Sequence, residues 1–387
     1  MKNTFSHILF NRIQDLPSNW DDFATHTIFL STNYLKVLEE SAPENMNCFY
    51  IGIYNAENLV GIAIAQYLDG SAMQSFGNRD RCIKTASRNF TFKNFASRNL
   101  FIGNNMLTGQ NAFSFSPTIS LENGLLELKK ASYSLEQQLQ KQGRKAHLTS
   151  FKDFTNQELS LFEAADFSSF YQFQIQPNMI LEIKDNWHSM DDYVFDLNKK
   201  YRDQYKRARK KAIDVEKRKL SLEEIIASES FIYELYLHVA ESAPFNTFLL
   251  RKNHFSSLKR HLDHDFLFYG YFLNGVLIGF NTLIKNGDTM DTYFLGYDDK
   301  IQREKMLYLN MLYDMIGYSI KKKFKTIIFG RTALEIKSSV GAIPEDTFGY
   351  IKHSNPLVQW QMPRIFNSLQ PSLSWQPRNP FKTNAPE

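Results

Sequence analysis

Two stretches of the sequence, residues 49–64 and 267–280, repeat one pattern of apolar and polar positions. Each has a run of aromatic and β-branched residues, a short polar turn that ends the run, and a second apolar run. Two glycines occur at the same spacing in both copies: Gly52 with Gly61, and Gly270 with Gly279. Each copy therefore predicts a β-hairpin. The repetition indicates that the chain contains one structural unit twice.

The rest of the first half predicts helices that alternate with strands. Apolar residues recur at helical spacing in two segments, and short apolar runs bounded by turn residues predict further strands. The predicted order is helix 32–40, hairpin 49–66, a polar loop-like interval at 77–81, strand 98–105, helix 124–142 and strand 146–151. This order is typical of a mixed α/β unit with helices packed on a sheet.

The second half predicts a similar unit. Its strongest local signals are the turns at Asn274-Gly275 and at 286–288, which divide residues 266–297 into three strands. The other predicted elements are strand 179–183, a basic helix 190–216, helices 224–242, 252–262 and 306–323, strand 326–331, and an irregular tail after Pro356. We expect an α/β fold with mixed α+β sheets in two domains, 1–155 and 156–387.

Composition supports two folded domains. A chain of 387 residues exceeds one ordinary core, and 43% apolar and 14% aromatic residues supply material for two. The N-terminus has no secretory signal pattern, and no apolar run reaches the length of about 18 residues that spans a membrane. Only Cys48 and Cys82 are present, too few for a disulfide framework. We therefore expect a cytoplasmic protein, with attachment to the periphery of the inner membrane left open.

Charge is unevenly distributed, although the formal net charge is only +4. Residues 199–219 hold eleven Lys or Arg residues against three acidic ones. Such a stripe attracts phosphate-bearing ligands or an anionic membrane surface. The alternative is an ordinary solvated helix face, where surface charges do little.

Three histidines, His254, His261 and His264, lie close together in the sequence. At helical spacing the three do not share one face, so they do not form a set of metal ligands. We expect no metal in this protein.

Four segments carry a resemblance to a known family. Residues 329–342, reading FGRTALEIKSSVGA, resemble a segment of FemAB-like and peptidoglycan biosynthesis/recognition-like members of the GNAT acyltransferase superfamily. The basic helix at 200–211, the sequence YLNMLY at 308–313 and the motif at 101–109 resemble other parts of that family. The resemblance implies two tandem GNAT-like (acyl-CoA N-acyltransferase) domains, with the active site in the second. It also explains the repeated hairpin.

One departure from the superfamily concerns CoA. GNAT enzymes that use acetyl-CoA usually have a Gln/Arg-x-x-Gly-x-Gly/Ala loop after the fourth strand, where backbone amides hold the pyrophosphate. The equivalent interval contains Arg303 but has no glycine between Tyr297 and Tyr308. Acyl-CoA is the co-substrate that the resemblance implies, but this loop does not support ordinary acetyl-CoA binding.

Acyl transfer to an amine needs an unprotonated nucleophile, a donor to the developing oxyanion and a proton for the leaving group. Asp291, Tyr293 and Tyr297 alternate along a predicted strand, so their side chains are expected on one face. Asp291 would orient or deprotonate the amine, and a tyrosine would donate to an oxygen. Tyr308, at a helix start, would protonate a leaving thiolate. The same residues also fit the polar face of an ordinary strand and a helix cap.

Arg303, Asn310 and Arg331 are the candidates for binding the acyl-CoA co-substrate. Arg331 follows a buried strand at the carboxyl edge of the sheet, where α/β folds bind ligands. A guanidinium holds a carboxylate or phosphate with two hydrogen bonds, and an internal Arg331–Glu335 ion pair is the structural alternative. The candidates for substrate binding are Arg202, Arg207, Glu335 and Lys337.

The resemblance implies an acyltransferase that moves an acyl group from acyl-CoA or an acyl carrier to an amine. The acceptor would be a small molecule, an amino lipid or a peptidoglycan precursor, bound in a cleft between the domains. One alternative is an aminoacyl-tRNA-dependent peptidoglycan aminoacyl transferase, against which the lack of a long paired heptad segment argues. A second is a non-catalytic GNAT-fold binding protein. A third is nucleic-acid binding through the basic helix, which predicts affinity that falls steeply with salt and no thioester turnover. Nucleic acid other than tRNA is not expected as a partner.

Overall fold

The computed structural model describes residues 5–71, 92–242, 246–369 and 375–382. The polar interval at 77–81 and Cys82 lie outside the described residues. The chain divides into two compact units, each assembled from separate segments. The first unit consists of Met1–Gln176, Pro244–His254 and Asp346–Ser372, and the second of Pro177–Ala243, Phe255–Glu345 and Leu373–Glu387. The expected boundary after residue 155 therefore falls within the range of the first unit.

The strands, in chain order, are β1 (Phe5–Phe10), β2 (Met46–Asn55), β3 (Asn58–Asp69), β4 (Arg98–Ile102), β5 (Phe113–Phe115), β6 (Leu148–Phe154), β7 (Tyr171–Glu182), β8 (Val215–Lys219), β9 (Phe266–Leu273), β10 (Val276–Asn286), β11 (Thr289–Tyr297), β12 (Thr326–Gly330) and β13 (Ile343–His353).

The α-helices are α1 (Thr32–Ser41), α2 (Leu121–Lys141), α3 (Leu159–Ala164), α4 (Met190–Asp196), α5 (Lys199–Lys211), α6 (Leu222–Ala227), α7 (Glu229–Ser242), α8 (His254–Leu262), α9 (Asp299–Lys305), α10 (Leu307–Lys321), α11 (Leu334–Ser338) and α12 (Pro356–Leu369). Short 3-10 helices cover Ile13–Asp15, Trp20–His26, Ile28–Leu30, Asn156–Glu158 and Asp263–Asp265.

The sheet of the first unit has the strand order β1-β2-β3-β4-β6-β13. Neighbouring strands are antiparallel except for β4 and β6, which are parallel, and β5 pairs with β3. The β2–β3 pair is the first of the two predicted hairpins. Helix α2 packs its apolar side, including Leu125, Leu128 and Leu135, into a core that also contains Ile51 and Phe151.

The sheet of the second unit has the order β8-β9-β10-β11-β12-β7. Here too the strands are antiparallel except for the fourth and fifth, β11 and β12. The second predicted hairpin is the β9–β10 pair, and its turn residues Asn274 and Gly275 both have positive φ, 50° and 78°. Such a turn matches the twist of a hairpin. The two units therefore repeat one strand order, as the sequence predicted.

The sixth strand of each sheet comes from a distant part of the chain. In the first unit it is β13, which follows all the other strands in sequence. In the second unit it is β7, which precedes the other five. The sixth strand of the first unit thus belongs to a separate segment, Asp346–Ser372, whereas β7 runs into the continuous segment Pro177–Ala243 of the second unit.

The predicted basic helix at 190–216 is divided into α4, α5 and β8. Leu197 has extended backbone angles, φ −64° and ψ 142°, and ends α4. The Asn198 side chain then accepts a hydrogen bond from the Tyr201 amide and starts a new helix. The helical periodicity of the segment did not reveal this cap.

The prediction of an irregular tail after Pro356 is wrong, because residues 356–369 form α12. Proline at the first position of a helix is favourable, since its missing amide has no intrahelical partner there. The Pro- and Asn-rich composition concealed this helix.

Within the described part of the chain, no helix is long and apolar enough to cross a membrane.

Candidate active site

The parallel strands β11 and β12 of the second unit separate after a short pairing. Residues 289–291 pair with residues 326–328, and β11 then continues to Tyr297 without β12 beside it. Strand β12 ends at Gly330, whose φ of 77° turns the chain away. The two strands thus stop pairing at their carboxyl ends, the edge at which α/β sheets bind ligands.

A β-bulge interrupts β11 just after this pairing. The register of β10 with β11 steps from Asn281–Leu295 to Leu283–Thr292, so β11 contains one extra residue at 293–294. A bulge breaks the alternation of side chains between the two faces of a strand.

The bulge places Asp291 and Tyr297 on opposite faces. Tyr297 packs against the core cluster that contains Met290, while Asp291 is the neighbour of Met290 in the regular part of the strand and points the other way. The expectation that Asp291, Tyr293 and Tyr297 share one face is therefore wrong for Tyr297. Tyr293 lies at the bulge itself, with its ring edge-on to Phe294 at 4.7 Å between centroids.

Asp291 is a buried carboxyl without a neighbouring cation in the described part of the chain. Asp291 is only 5% exposed, and the Asn286 side-chain amide donates a hydrogen bond of 3.2 Å to its Oδ2. Burial raises the pKa of Asp291 to about 7, which the Asn286 hydrogen bond opposes. A carboxyl of this kind exchanges a proton near neutral pH and is a candidate functional group.

Lys337 is a buried amine close to the same strand end. It is 4% exposed, and Nζ donates a hydrogen bond of 3.2 Å to the Gly330 carbonyl oxygen. Burial lowers the pKa of Lys337 to about 7. Arg331 directly follows Gly330, is partly buried, and burial lowers its pKa to about 10. Lys337 and Arg331 therefore lie at the end of β12, the strand that pairs with β11 up to Asp291.

Tyr308 lies in the first turn of α10, and its ring is 6.3 Å from that of Tyr297. Burial raises the pKa of both phenols, and the charge of Asp299 adds to the shift at Tyr297. These two tyrosines form a pair on the core side of β11, on the face opposite Asp291.

Asn310 has a structural role. Its Nδ2 donates to the carbonyl oxygens of Ala208, Lys305 and Met306 at 2.9 to 3.2 Å, and its Oδ1 accepts from Arg209 at 3.2 Å. The expected role in binding a co-substrate is not supported, because the amide joins α5 to the start of α10.

A partly buried polar network beside Asn310 was not anticipated from the sequence. Asp314 accepts from Arg209 Nη1 at 2.8 Å and from the Tyr271 hydroxyl at 2.9 Å, and Lys217 Nζ is 3.7 Å away. The spacing of Asn310 and Asp314, one helical turn apart, was the available signal. The network anchors the basic helix α5 to α10.

The remaining candidates for binding are divided between structural and exposed positions. Arg202 donates to the carbonyl oxygens of Phe195 and Leu197, at the end of α4. Glu335 pairs with Arg378 at 2.9 Å, so the alternative of an Arg331–Glu335 ion pair is not what the structure shows. Arg207 on α5 and Arg303 on α9 are exposed.

Helix α9 occupies the interval in which a glycine-rich phosphate loop would follow the fourth strand. The Asp298 carboxylate accepts hydrogen bonds from the first amides of α9, those of Lys300 and Ile301. Met306, with φ 50°, then separates α9 from α10. A carboxylate thus uses helix amides that could otherwise bind an anion.

The first unit uses the corresponding place differently. Its parallel strands β4 and β6 pair up to Phe151. The next residue, Lys152, directs its ammonium to the carbonyl oxygens of Asn104 and Leu107, both at 3.1 Å, and to Asp153 at 2.8 Å. Internal hydrogen bonds therefore fill the strand ends of the first unit, whereas the second unit has Asp291 there.

Comparison with known proteins supports the fold. No model of a known protein family matches the sequence, and no curated protein is similar to it. Solved structures do match. FemX matches with 12% identity, a TM-score of 0.57 and coverage of 93% of this chain and 99% of that one. A conserved protein of unknown function from Bacteroides thetaiotaomicron matches with 11% identity, a TM-score of 0.51 and coverage of 87% and 98%. A tandem GNAT protein from the clavulanic acid biosynthesis pathway matches with 8% identity, a TM-score of 0.50 and coverage of 91% and 99%. The chain therefore has the tandem GNAT-like fold of these structures.

Proposed function

We propose that the second unit is an acyltransferase site at which Asp291 accepts a proton from an amine acceptor. The observation that carries this proposal is a buried carboxyl with a pKa of about 7 at the point where β11 and β12 separate. A general base works best when its pKa lies near the operating pH. The tandem GNAT-like fold supports the proposal by analogy.

The proposed reaction is aminolysis of the acyl donor. The Asp291 carboxylate takes a proton from the acceptor ammonium, and the free amine attacks the carbonyl carbon of the acyl donor. A C–N bond forms and the carbonyl oxygen becomes an oxyanion. The nitrogen of the new bond loses its second proton to solvent, and the C=O bond re-forms as the bond to the leaving sulfur or oxygen breaks. Arg331 supplies hydrogen-bond donors for the oxyanion or for an anionic part of the substrate. Lys337, with a pKa near 7, can give a proton to the leaving group and be recharged by solvent.

The acceptor is proposed to be a primary amine on a small molecule, an amino lipid or a peptidoglycan precursor. The donor is proposed to be a thioester, acyl-CoA or an acyl carrier. These assignments extend the family resemblance and do not rest on a ligand contact.

The first test is release of free thiol from a series of acyl-CoA donors, short to long, in the presence of amine acceptors. We expect acceptor-dependent release by the unmodified protein and a loss of at least about 100-fold in Asp291→Asn, the range typical for removal of a general base. Asp191→Asn, an exposed aspartate of the same unit on α4, is the matched control and should retain full activity.

Two results would contradict the proposal. Normal turnover by Asp291→Asn would remove the base from the mechanism. Equal losses in Asp291→Asn and Asp191→Asn would mean that the loss reflects a general effect of removing a negative charge.

A second candidate is transfer from an aminoacyl ester such as aminoacyl-tRNA. The observation that favours it is Asp298, whose carboxylate occupies the amides of α9 where a CoA pyrophosphate would need donors. If acyl-CoA is not consumed, incubation with aminoacyl-tRNA and the same amines should show acceptor-dependent loss of the ester. That loss should again require Asp291.

A further inference from the structure

A polar cavity lies in the first unit, apart from the residues of the proposed acyltransferase site. Its volume is about 240 Å³, and its walls come from the end of α1, the start of β2, Asn11 and Arg251. Drug-sized ligands usually occupy cavities of about 300 to 1,000 Å³, so this one suits a small metabolite.

Tyr50 belongs to the wall of this cavity, and its hydroxyl is buried. The residue is 0% exposed, and its OH has no hydrogen-bond partner among the described residues. Burial raises the pKa of the Tyr50 phenol, and the neighbouring Cys48 and Glu39 charges add to the shift. The hydroxyl therefore stays protonated at neutral pH and offers a donor. A buried polar group without a partner destabilises the fold, so its retention requires an explanation.

The cavity also presents one group of each charge. Glu39 on α1 is exposed, and its Oε1 accepts a hydrogen bond of 2.6 Å from the Ile13 amide. Its second oxygen has no recorded partner in the described part of the chain. Arg251 is exposed as well and contributes a guanidinium to the same lining. A carboxylate and a guanidinium around one small cavity complement a molecule that carries both charges.

The other walls are apolar or weakly polar. Leu38, Ala42, Pro43 and Met46 provide apolar surface. Burial raises the pKa of Cys48 to about 12, which the Gln66 hydrogen bond opposes, so the thiol is not a nucleophile at neutral pH. The lining therefore fits reversible binding and not covalent chemistry.

We propose that this cavity binds a free α-amino acid with a small apolar side chain. The ligand ammonium contacts Glu39, and its carboxylate contacts Arg251 and accepts a hydrogen bond from the Tyr50 hydroxyl. The side chain lies against Leu38 and Met46. This site does not depend on the acyltransferase proposal, because the residues of the two do not overlap.

The ligands for the test are L-alanine, L-valine and L-leucine, measured with the full chain by titration calorimetry and by the shift in melting temperature. Two single-charge analogues of the bound amino acid serve as probes of recognition, the N-acetyl derivative and the decarboxylated amine. We expect at least one amino acid to bind and both analogues to bind at least about tenfold more weakly, since each loses a charge-assisted hydrogen bond.

Two charge variants and two controls test the charged residues of the site. Glu39→Gln, which keeps the acceptor for Ile13, and Arg251→Gln should each weaken binding about 10- to 100-fold. Glu57→Gln in the β2–β3 turn and Arg364→Gln on α12 are exposed controls in the same unit and should bind normally.

Tyr50→Phe distinguishes a ligand site from an ordinary buried tyrosine. Without ligand, this variant should melt at a higher temperature, because an unpartnered hydroxyl is removed and the ring contact with Trp20 is kept. With ligand, it should bind about tenfold more weakly. Unchanged affinity in Tyr50→Phe, unchanged affinity in both charge variants, or no binding of any of the three amino acids would each overturn the proposal.

Discussion

Asp291 and Lys337 show how burial alone can prepare two groups for proton transfer. Burial disfavours the charged form of each, which raises the pKa of a carboxyl and lowers that of an amine. Both pKa values therefore move from opposite sides to about 7. Neither group has an oppositely charged partner among the described residues. Their titration should thus be visible in the stability of the protein.

We expect Asp291→Asn and Lys337→Met to change the free energy of unfolding with opposite dependence on pH. A carboxyl with a raised pKa stabilises the fold fully below its unfolded pKa of about 4, and this stability is lost as pH rises to about 7. The advantage of Asp291→Asn over the unmodified protein should therefore grow over that interval. The buried Lys337 ammonium is most costly below pH 7, so the advantage of Lys337→Met should shrink between pH 7 and about 10.5.

The measurement is urea unfolding of both variants and the unmodified protein at pH values from 4 to about 10. Each shift of about 3 pKa units corresponds to a change of about 4 kcal/mol across the interval. A flat difference between variant and unmodified protein would show that the group is charged and solvated in the fold. The two variants control for each other. A general loss of packing would lower the free energy of unfolding without giving the two variants opposite dependence on pH.

At the level of elements, the basic helix α5 depends on hydrogen bonds beneath its exposed charges. Arg209 contacts Asn310 and Asp314 on α10 and also lies over the rings of Tyr205 and Tyr313. Most of the other cations of α5, including Arg207, are exposed. Arg202 and Arg209 thus anchor the helix, and most of its other cations form the solvated face that one reading of the sequence expected. Attraction of phosphate groups or an anionic membrane surface to that face stays a prediction.

Asp314→Ala should destabilise the second unit by roughly 2 to 3 kcal/mol, because it leaves the Tyr271 hydroxyl and Arg209 without their acceptor. Chemical denaturation measures this loss. The double variant with Tyr271→Phe should recover part of it, since the orphaned hydroxyl is then absent. If the two changes add without recovery, the Tyr271–Asp314 hydrogen bond contributes nothing and the network account is wrong.

Sequence reasoning recovered the elements whose signals are local. The two hairpins followed from alternating apolar runs with a polar turn, and Asn274-Gly275 predicted its turn correctly. The bulge in β11 was not predictable, because it depends on the register with β10. Asp291 was named as a candidate from the sequence, but its pKa follows from burial that only the folded chain defines. The same applies to Asn310, whose amide is used within the fold.

For the whole molecule, the two repeated units differ in the side chains at the ends of their parallel strands. The strand order is the same in both sheets, and the residues two positions beyond the parallel pairing, Asp153 and Gly330, both have positive φ, 73° and 77°. In the first unit, Lys152 and its carbonyl partners fill the strand ends. In the second, Asp291 and Lys337 are buried without a counter-charge among the described residues. This asymmetry is the reason for assigning the chemistry to the second unit.

The distant origin of β13 leads to a prediction about folding. A fragment of residues 1–176 contains five strands of the first sheet but lacks β13, whose register with β6 runs from Phe348–Phe154 to His353–Leu148. The β6 edge would then expose unpaired backbone groups and part of the core around Tyr350. We expect this fragment to unfold without a cooperative transition, as measured by circular dichroism in urea. A peptide of residues 343–369 added in trans should restore the transition, and a scrambled peptide should not. Cooperative unfolding of 1–176 alone would show that the first five strands suffice and that β13 only adds to a unit already stable.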